Sequence, residues 1–178
     1  TYQPFTAQTS CTDADAGYFV STTAATSQTA CAAGTYQAST GQSSCTDASA
    51  GYYVSTTAAT SQTACAAGTY QPSSAQTSCI DASAGYYVAS AGSASQAACA
   101  AGTYQPSTGQ SSCTDASAGY FVSTTAATSQ TACAAGTYQP STAQTSCIDA
   151  DAGYYVSTTA TTSQTACAAG TYQPSTGQ

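Results

Sequence analysis

The sequence contains no lysine, arginine or histidine, and its only charged side chains are seven aspartates. Because no side chain can neutralise phosphate groups, we expect no binding to nucleic acids and no attraction to anionic membrane surfaces. No apolar run approaches the ~18 residues of a membrane-spanning helix, so we expect no membrane insertion. A Ser-His-Asp triad and a Cys-His pair both need histidine, and a lysine base needs lysine. Because these residues and glutamate are absent, the chain is predicted not to be an enzyme.

Large apolar side chains are also scarce. Leucine, methionine and tryptophan are absent, and the branched aliphatics are one valine per repeat with Ile80 and Ile148. Such a chain cannot bury enough apolar surface to offset the conformational entropy lost on folding. We therefore expect covalent cross-links and contacts between neighbouring units to supply the missing stability.

The cysteines recur with a strict 34-residue period, and the gaps between them alternate between 20 and 14. They are Cys11, Cys31, Cys45, Cys65, Cys79, Cys99, Cys113, Cys133, Cys147 and Cys167. A fixed period of this kind is typical of tandem repeats that stack on their neighbours. The even count, without histidine or close cysteine pairs, favours disulfides over zinc sites and predicts an extracellular or cell-surface location.

The period divides the chain into four complete repeats between two partial ones. The predicted boundaries are 1–30 (partial), 31–64, 65–98, 99–132, 133–166 and 167–178 (partial). The two ends of the chain occupy the same phase of the repeat, and we interpret the chain as a window on a longer array.

The 34-residue cysteine period consists of two similar halves, so the chain also has a 17-residue period. Glycine recurs at this spacing from Gly17 to Gly170, and each of these glycines is followed two positions later by tyrosine or phenylalanine. We predict that this aromatic stripe forms the core of the repeat. The tyrosines directly before it, such as Tyr52, would then face the other side of a strand and be available for contacts with other chains or glycans.

The pattern of cysteine loss predicts which cysteines are bonded. Cys31 lies three positions before Gly34 and Cys45 lies eleven after it, whereas the same places around Gly51 hold Ala48 and Gln62. Cysteine is present at both places or at neither, as expected for disulfide partners. The predicted bonds are Cys31–Cys45, Cys65–Cys79, Cys99–Cys113 and Cys133–Cys147, with Cys11 and Cys167 pairing outside the segment. The alternative joins cysteines across the 20-residue gaps, from Cys11–Cys31 to Cys147–Cys167.

Local signals favour β-hairpins. The stretches G-T-Y-Q and G-Y-Y-V are short and rich in aromatic or β-branched residues, while Q-P-S-T-G-Q is a turn sequence. We predict a small all-β, disulfide-rich tandem repeat. Its 17-residue hairpin-like units would each be closed by a disulfide at the base, where cysteine is present, and would form a ladder in an extended rod.

Two further patterns concern surface chemistry. The motif D-A-D-A-G places Asp13 and Asp15, and again Asp149 and Asp151, two positions apart before a glycine, which makes them weak candidates for calcium ligands in a chain expected to have no metal site or cofactor. The alternative is a turn aspartate that accepts backbone N–H bonds.

The Ser/Thr-rich loops resemble O-glycosylated stalks, and we expect covalent O-glycans to order and cover them. The candidate sites are Thr22, Thr23, Thr26, Thr56, Thr57, Thr60, Thr124, Thr125, Thr128, Thr158, Thr159, Thr162, Ser107, Thr108, Ser141 and Thr142.

The run C-A-A-G-T-Y-Q-A-S-T-G-Q-S-S-C, from Cys31 to Cys45, resembles the C-P-A-G-T-Y…C loops of ephrin-receptor-like and tumour-necrosis-factor-receptor-like cysteine-rich repeats. The resemblance implies short β-hairpins laddered into an extended rod, with one disulfide per loop. The near-identical repeats are also similar in style to algal flagellar-hair proteins and other surface filaments. We expect a self-assembling structural subunit of an extracellular filament or surface hair; the alternative is the rigid stalk of a cell-surface adhesion or receptor protein.

Overall fold

The computed structural model describes residues 1–6 and 9–178, and these residues form strands, turns and bends but no helix. The prediction of an all-β repeat protein is therefore confirmed. Each strand is a pair of residues, and a tyrosine or threonine leads the first strand of every hairpin. Strands this short cannot be stable alone, so their contacts with neighbouring segments decide the fold.

The strands pair in sequence order into antiparallel hairpins, and one hairpin occupies each half of the cysteine period. Their bounds are β1 Tyr18–Phe19, β2 Thr29–Ala30, β3 Thr35–Tyr36, β4 Thr46–Asp47, β5 Tyr52–Tyr53, β6 Thr63–Ala64, β7 Thr69–Tyr70, β8 Ile80–Asp81, β9 Tyr86–Tyr87, β10 Ala97–Ala98, β11 Thr103–Tyr104, β12 Thr114–Asp115, β13 Tyr120–Phe121, β14 Thr131–Ala132, β15 Thr137–Tyr138, β16 Ile148–Asp149, β17 Tyr154–Tyr155 and β18 Thr165–Ala166. A single bridge between Tyr2 and Thr12 occupies the same phase.

The chain divides into two compact units. The first comprises Thr1–Asp81 with Val88–Gln96, and contains the hairpins from β1 to β8. The second comprises Ala82–Tyr87 with Ala97–Gln178, and contains the hairpins from β9 to β18. The same local geometry is present in both.

A tight turn precedes each hairpin. At the second hairpin, the backbone N–H and the hydroxyl of Thr35 both donate to the carbonyl of Ala32, at 3.0 and 2.9 Å. Gly34 has a φ of +91°, the sign that a type II turn requires at its third residue. The glycine period read from the sequence is thus a series of turns that start the hairpins.

Within each unit, backbone hydrogen bonds join each hairpin to the next. In the first unit, Gly17 N–H donates to Gln37 O at 2.8 Å and Val20 N–H donates to Gln42 O at 3.0 Å. The loop of the third hairpin reaches back to the end of the first, where Ala58 N–H donates to Cys31 O at 2.8 Å. The long hairpin loops are therefore ordered by hydrogen bonds of the protein itself.

The core consists of small residues, so the prediction that the aromatic stripe forms it is wrong. The residue three before each hairpin glycine, alanine or cysteine, is fully buried from Ala14 to Ala150. The residue three after the glycine is a buried valine, or glutamine at Gln71, Gln105 and Gln139, while most of the aromatic rings are half-buried. Backbones that hydrogen-bond directly to one another leave too little space between them to enclose a ring.

The buried glutamines are fully bonded within their own loops. Gln71 Nε2 donates to Ser78 O at 2.8 Å, and Gln71 Oε1 accepts from Ser73 N–H at 3.2 Å. Among the described residues, no buried side-chain nitrogen or oxygen is left without a hydrogen-bond partner. A polar side chain can therefore replace valine at this position without loss.

The hairpin glycines also allow a close approach between hairpins that are two steps apart. A Cβ atom on Gly51 would lie 2.1 Å from the carbonyl oxygen of Gly92, and φ at Gly51 is +85°. We expect Gly51→Ala to lower the free energy of unfolding by more than the ~1–2 kcal/mol that left-handed strain alone costs, because backbone must also move apart. Urea denaturation of the full chain measures this.

Two controls separate strain from collision. Gly153 has the same φ of +85° but no atom within 4 Å of its Cβ position, so Gly153→Ala should show only the smaller strain effect. Gly41→Ala should cost no more than this strain, because its Cβ position lies 3.4 Å from the Asp13 carboxylate and alanine occupies the equivalent place with positive φ at Ala58 and Ala75. Equal losses at Gly51 and Gly153 would show that the close approach does not matter.

Candidate functional site

The disulfides are the most regular feature of the repeat. The structure contains Cys31–Cys45, Cys65–Cys79, Cys99–Cys113 and Cys133–Cys147, each with a sequence separation of 14 and Cα atoms 5.7–5.8 Å apart. This is the pairing that the joint loss of cysteine predicts, and the pairing across the 20-residue gaps is not formed. Cys11 and Cys167 are not bonded to another cysteine of this chain.

Each disulfide links two neighbouring hairpins, which differs from the closure of a single hairpin predicted above. Cys31 N–H donates to Gly17 O at 2.9 Å, so this buried cysteine continues β2 and belongs to the end of the first hairpin. Cys45 directly precedes β4 in the second hairpin. The bond therefore fastens each such hairpin to the one before it.

A glutamine replaces the disulfide in the alternate hairpins. We call the hairpins β1–β2, β5–β6, β9–β10, β13–β14 and β17–β18 glutamine hairpins, and the other four cystine hairpins. Gln62 occupies the place of the second cysteine, and its Oε1 accepts from the backbone N–H of Ser49 at 2.7 Å. The same 2.7 Å bond is made by Gln130 with Ser117. The loops of these hairpins thus have a link back to the turn that precedes them, through a disulfide in the cystine hairpins and through a hydrogen bond such as that of Gln62 or Gln130 in the glutamine hairpins.

This role of glutamine is missed by the sequence reasoning, which treats the glutamine only as a missing cysteine. The available signal is its constancy, because every loop without a cysteine carries glutamine at that place. A carboxamide reaches a backbone N–H about as far away as a disulfide partner would be, whereas serine or alanine could not.

The aspartates proposed as calcium ligands are in part explained by the same link. Gln28 Nε2 donates to the carboxylate of Asp15, and Gln164 Nε2 to that of Asp151, both at 2.7 Å. The described residues contain no group of three or more side chains of the usual ligand types that could hold a metal ion. The second aspartate of each D-A-D-A-G motif therefore strengthens a glutamine link in a turn.

The first aspartate of the motif lies elsewhere. The carboxylate of Asp13 is 3.4 Å from the Cβ position of Gly41, and that of Asp149 is 3.6 Å from the equivalent position of Gly177. The carboxylate of Asp13 thus packs on the loop of the second hairpin, and that of Asp149 packs on the C-terminal segment.

The hydroxyl groups considered for O-glycans are on the surface. All sixteen candidate residues, from Thr22 to Thr162 and including the Ser-Thr pairs after Pro106 and Pro140, are exposed. The loops that carry them are held by backbone bonds, as where Gln37 N–H donates to Ala59 O at 3.0 Å. Their order does not require sugars, which corrects one part of the argument for glycans made from the sequence.

Tyrosine side chains border a shallow surface groove that recurs with the cysteine period. One such groove, of about 490 Å³, is bordered by Tyr53, Ala66 and Cys79, and another, of about 370 Å³, by the corresponding residues one period later. The hydroxyl of Tyr52 lies 3.4 Å from the Cβ position of Gly92, so this tyrosine packs on a loop of its own chain. The tyrosines before the stripe are therefore less available to partners than predicted.

Comparison with known protein families gives a match to part of the chain. A family model described as tyrosine-protein kinase ephrin type A/B receptor-like matches residues 85–133, which is under a third of the chain. The matched stretch begins at a hairpin glycine and includes the Cys99–Cys113 bond. No curated protein sequence matches the chain.

The part of the chain that the structure describes has no helix long and apolar enough to cross a membrane. The family match and the regular disulfides together indicate an extracellular structural or receptor-type module. Over residues 85–133 the chain is similar to ephrin-receptor-like cysteine-rich repeats, a type that is typically non-catalytic.

Proposed function

We propose that the chain is a structural subunit of an extracellular filament or surface hair. The observation that carries the proposal is the linkage of each hairpin to its neighbours within each unit, with one disulfide in every period. In repeat proteins of this kind stability comes from nearest-neighbour interfaces, so the number of repeats can grow without a change of fold. That property suits a protein that must span a distance, because its length can increase with the number of repeats.

The chemistry of the surface also supports a structural role. The charged side chains are seven aspartates, and the exposed loops carry mainly hydroxyl and amide groups. Such a surface offers no cationic sites for phosphates and no histidine or lysine base for catalysis. Association between copies of this chain would rest on hydrogen bonds and on the half-buried tyrosines.

O-glycosylation belongs to the same proposal. Sixteen exposed serine and threonine side chains lie on loops already ordered by the backbone, so a sugar could be attached without disturbing the fold. A covering of glycans would keep a chain with few charges soluble, a task that surface lysine and glutamate usually perform. The sugars would therefore cover the repeat, while the protein holds it together.

A second candidate is the stalk of a cell-surface adhesion or receptor protein. The match of residues 85–133 to an ephrin-receptor-like family favours it, because that family is named for a receptor. The two functions differ in one property that can be tested: a filament subunit associates with further copies, whereas a stalk carries other domains and stays separate.

Electron microscopy of the purified, oxidised chain tests the assembly. We expect regular fibrils whose length increases with protein concentration, because the repeat surface is the same at each period. Chain that has been reduced and alkylated serves as the control and should form none, since the links between neighbouring hairpins are lost. Monodisperse short particles at all concentrations would contradict the filament and favour the stalk.

Intact-mass analysis of the protein secreted by a eukaryotic host tests the glycans. We expect a heterogeneous series of sugar increments above the polypeptide mass of 17.4 kDa. Replacing Thr56, Thr57 and Thr60 by alanine should remove part of the series, because these hydroxyls share one exposed loop. The matched control is Thr69→Ala, at a half-buried threonine whose hydroxyl already donates to Ala66 O, and it should leave the series unchanged. A single unmodified mass would show that the loops are bare.

A further inference from the structure

Covalent and non-covalent links alternate along the chain, and this divides each period into two parts with different resistance to tension. In the first unit, the stretches 31–45 and 65–79 are each closed by a disulfide. The stretch 46–64 between them has no covalent cross-link and contains the glutamine hairpin β5–β6. The second unit has the same arrangement, with 114–132 between the bonds Cys99–Cys113 and Cys133–Cys147.

The stretch without a cross-link is held only by hydrogen bonds and small contacts. Gln62 Oε1 accepts from Ser49 N–H at 2.7 Å, Gly51 N–H donates to Gln71 O at 2.7 Å, and Val54 N–H donates to Gln76 O at 3.0 Å. Each such bond is weak in net terms because water replaces it on opening. Tension along the chain would therefore separate these groups long before it broke a disulfide.

We propose that the chain is an extensible tether in which the glutamine hairpins open under tension and close again when it falls, while the disulfide loops remain closed. This deepens the proposed structural function, but it is a property of a single chain and does not depend on filament assembly. A hydrogen bond is weaker than a disulfide, so the glutamine hairpins open first. The carbonyl groups that accept hydrogen bonds from the opened hairpin stay in place, so the hairpin can form these bonds again.

The recovery step follows from where those acceptors lie. Gln71 O and Gln76 O belong to the loop closed by Cys65–Cys79, and Cys31 O, which accepts from Ala58 N–H at 2.8 Å, belongs to a bonded cysteine. Both sides of the opened hairpin thus stay confined within closed loops. Confinement lowers the entropy that must be lost on closing.

The lengths involved are large enough to measure. The 14 residue steps from Cys31 to Cys45 would span about 48 Å when extended, whereas the disulfide holds the two Cα atoms 5.8 Å apart. Each disulfide therefore prevents ~40 Å of chain extension. The 20 residue steps between Cys45 and Cys65 can reach ~68 Å. The releasable length of each period therefore lies mainly in the stretch that contains the glutamine hairpin.

The repeat also supplies a place to lock that stretch. Ala48 and Gln62 occupy the same places as Cys31 and Cys45, and Ala48 is fully buried like Cys31. The backbone bonds agree too: Ala48 N–H donates to Gly34 O at 2.8 Å, as Cys31 N–H does to Gly17 O at 2.9 Å. We expect the variant Ala48→Cys/Gln62→Cys to form a fifth disulfide. The two thiols would lose two protons and two electrons to oxidised glutathione, which leaves as two glutathione thiols.

The test is to stretch the full oxidised chain between its two ends with optical tweezers. The locked variant should extend ~40 Å less than the unchanged chain at forces below those that open any disulfide. Gln62→Ala should open roughly five-fold faster at a given force, as expected for the loss of one hydrogen bond. Thr69→Ala is the matched control, because the Thr69 hydroxyl donates to Ala66 O inside the loop closed by Cys65–Cys79, and it should leave the opening rate unchanged.

Peptide mapping without reduction establishes whether the fifth bond has formed. If the fifth bond has formed but the extension at low force is unchanged, a different part of the chain opens under tension and the proposal is wrong. An unchanged opening rate in Gln62→Ala overturns it whether or not the bond forms. Failure of the chain to regain its length over repeated cycles of stretching would also refute a tether that recovers. None of these outcomes depends on whether fibrils form, so the filament proposal stands or falls separately.

Discussion

Backbone packs directly on backbone at the hairpin glycines, and the other features of the fold depend on this contact. A Cβ atom at Gly17, Gly34 or Gly51 would lie 2.1–2.4 Å from the carbonyl oxygen of a loop two hairpins further on. No side chain fits between two backbone segments that are so close. Cohesion must then come from N–H and C=O groups that bond between neighbouring hairpins, which is why a protein without leucine can fold in units as short as one hairpin.

The same closeness explains the two kinds of link. From Ala14 to Ala150, the place three before each hairpin glycine holds alanine or a disulfide-bonded cysteine, and both are fully buried there. Where it is cysteine, the loop is bonded covalently; where it is alanine, a glutamine such as Gln62 reaches the backbone of Ser49 instead. The alternation gives the cystine hairpins a disulfide in their loops and the glutamine hairpins a hydrogen bond, so the chain has parts that differ in resistance to force.

The described repeats have the same links and the same kind of surface from one period to the next. The described residues contain no metal-binding cluster, and the exposed surface consists largely of hydroxyl and amide groups. The family match to residues 85–133 and the disulfides indicate an extracellular structural or receptor-type module. A filament subunit and a receptor stalk both use that module to span distance, and they differ in what lies at its ends and sides.

The sequence by itself determined the period, the β-class and the disulfide partners, because each is visible in the spacing of residues: a glycine in every half-period, an aromatic residue two positions after it, and cysteines kept or lost together. Only the tertiary structure decided that Cys31 belongs to the preceding hairpin, that Gln62 replaces a disulfide, and that the core is alanine, valine and cysteine with the aromatic rings half-buried. These features depend on the distance between neighbouring hairpins, and neither the composition nor the spacing of residues along the sequence specifies that distance.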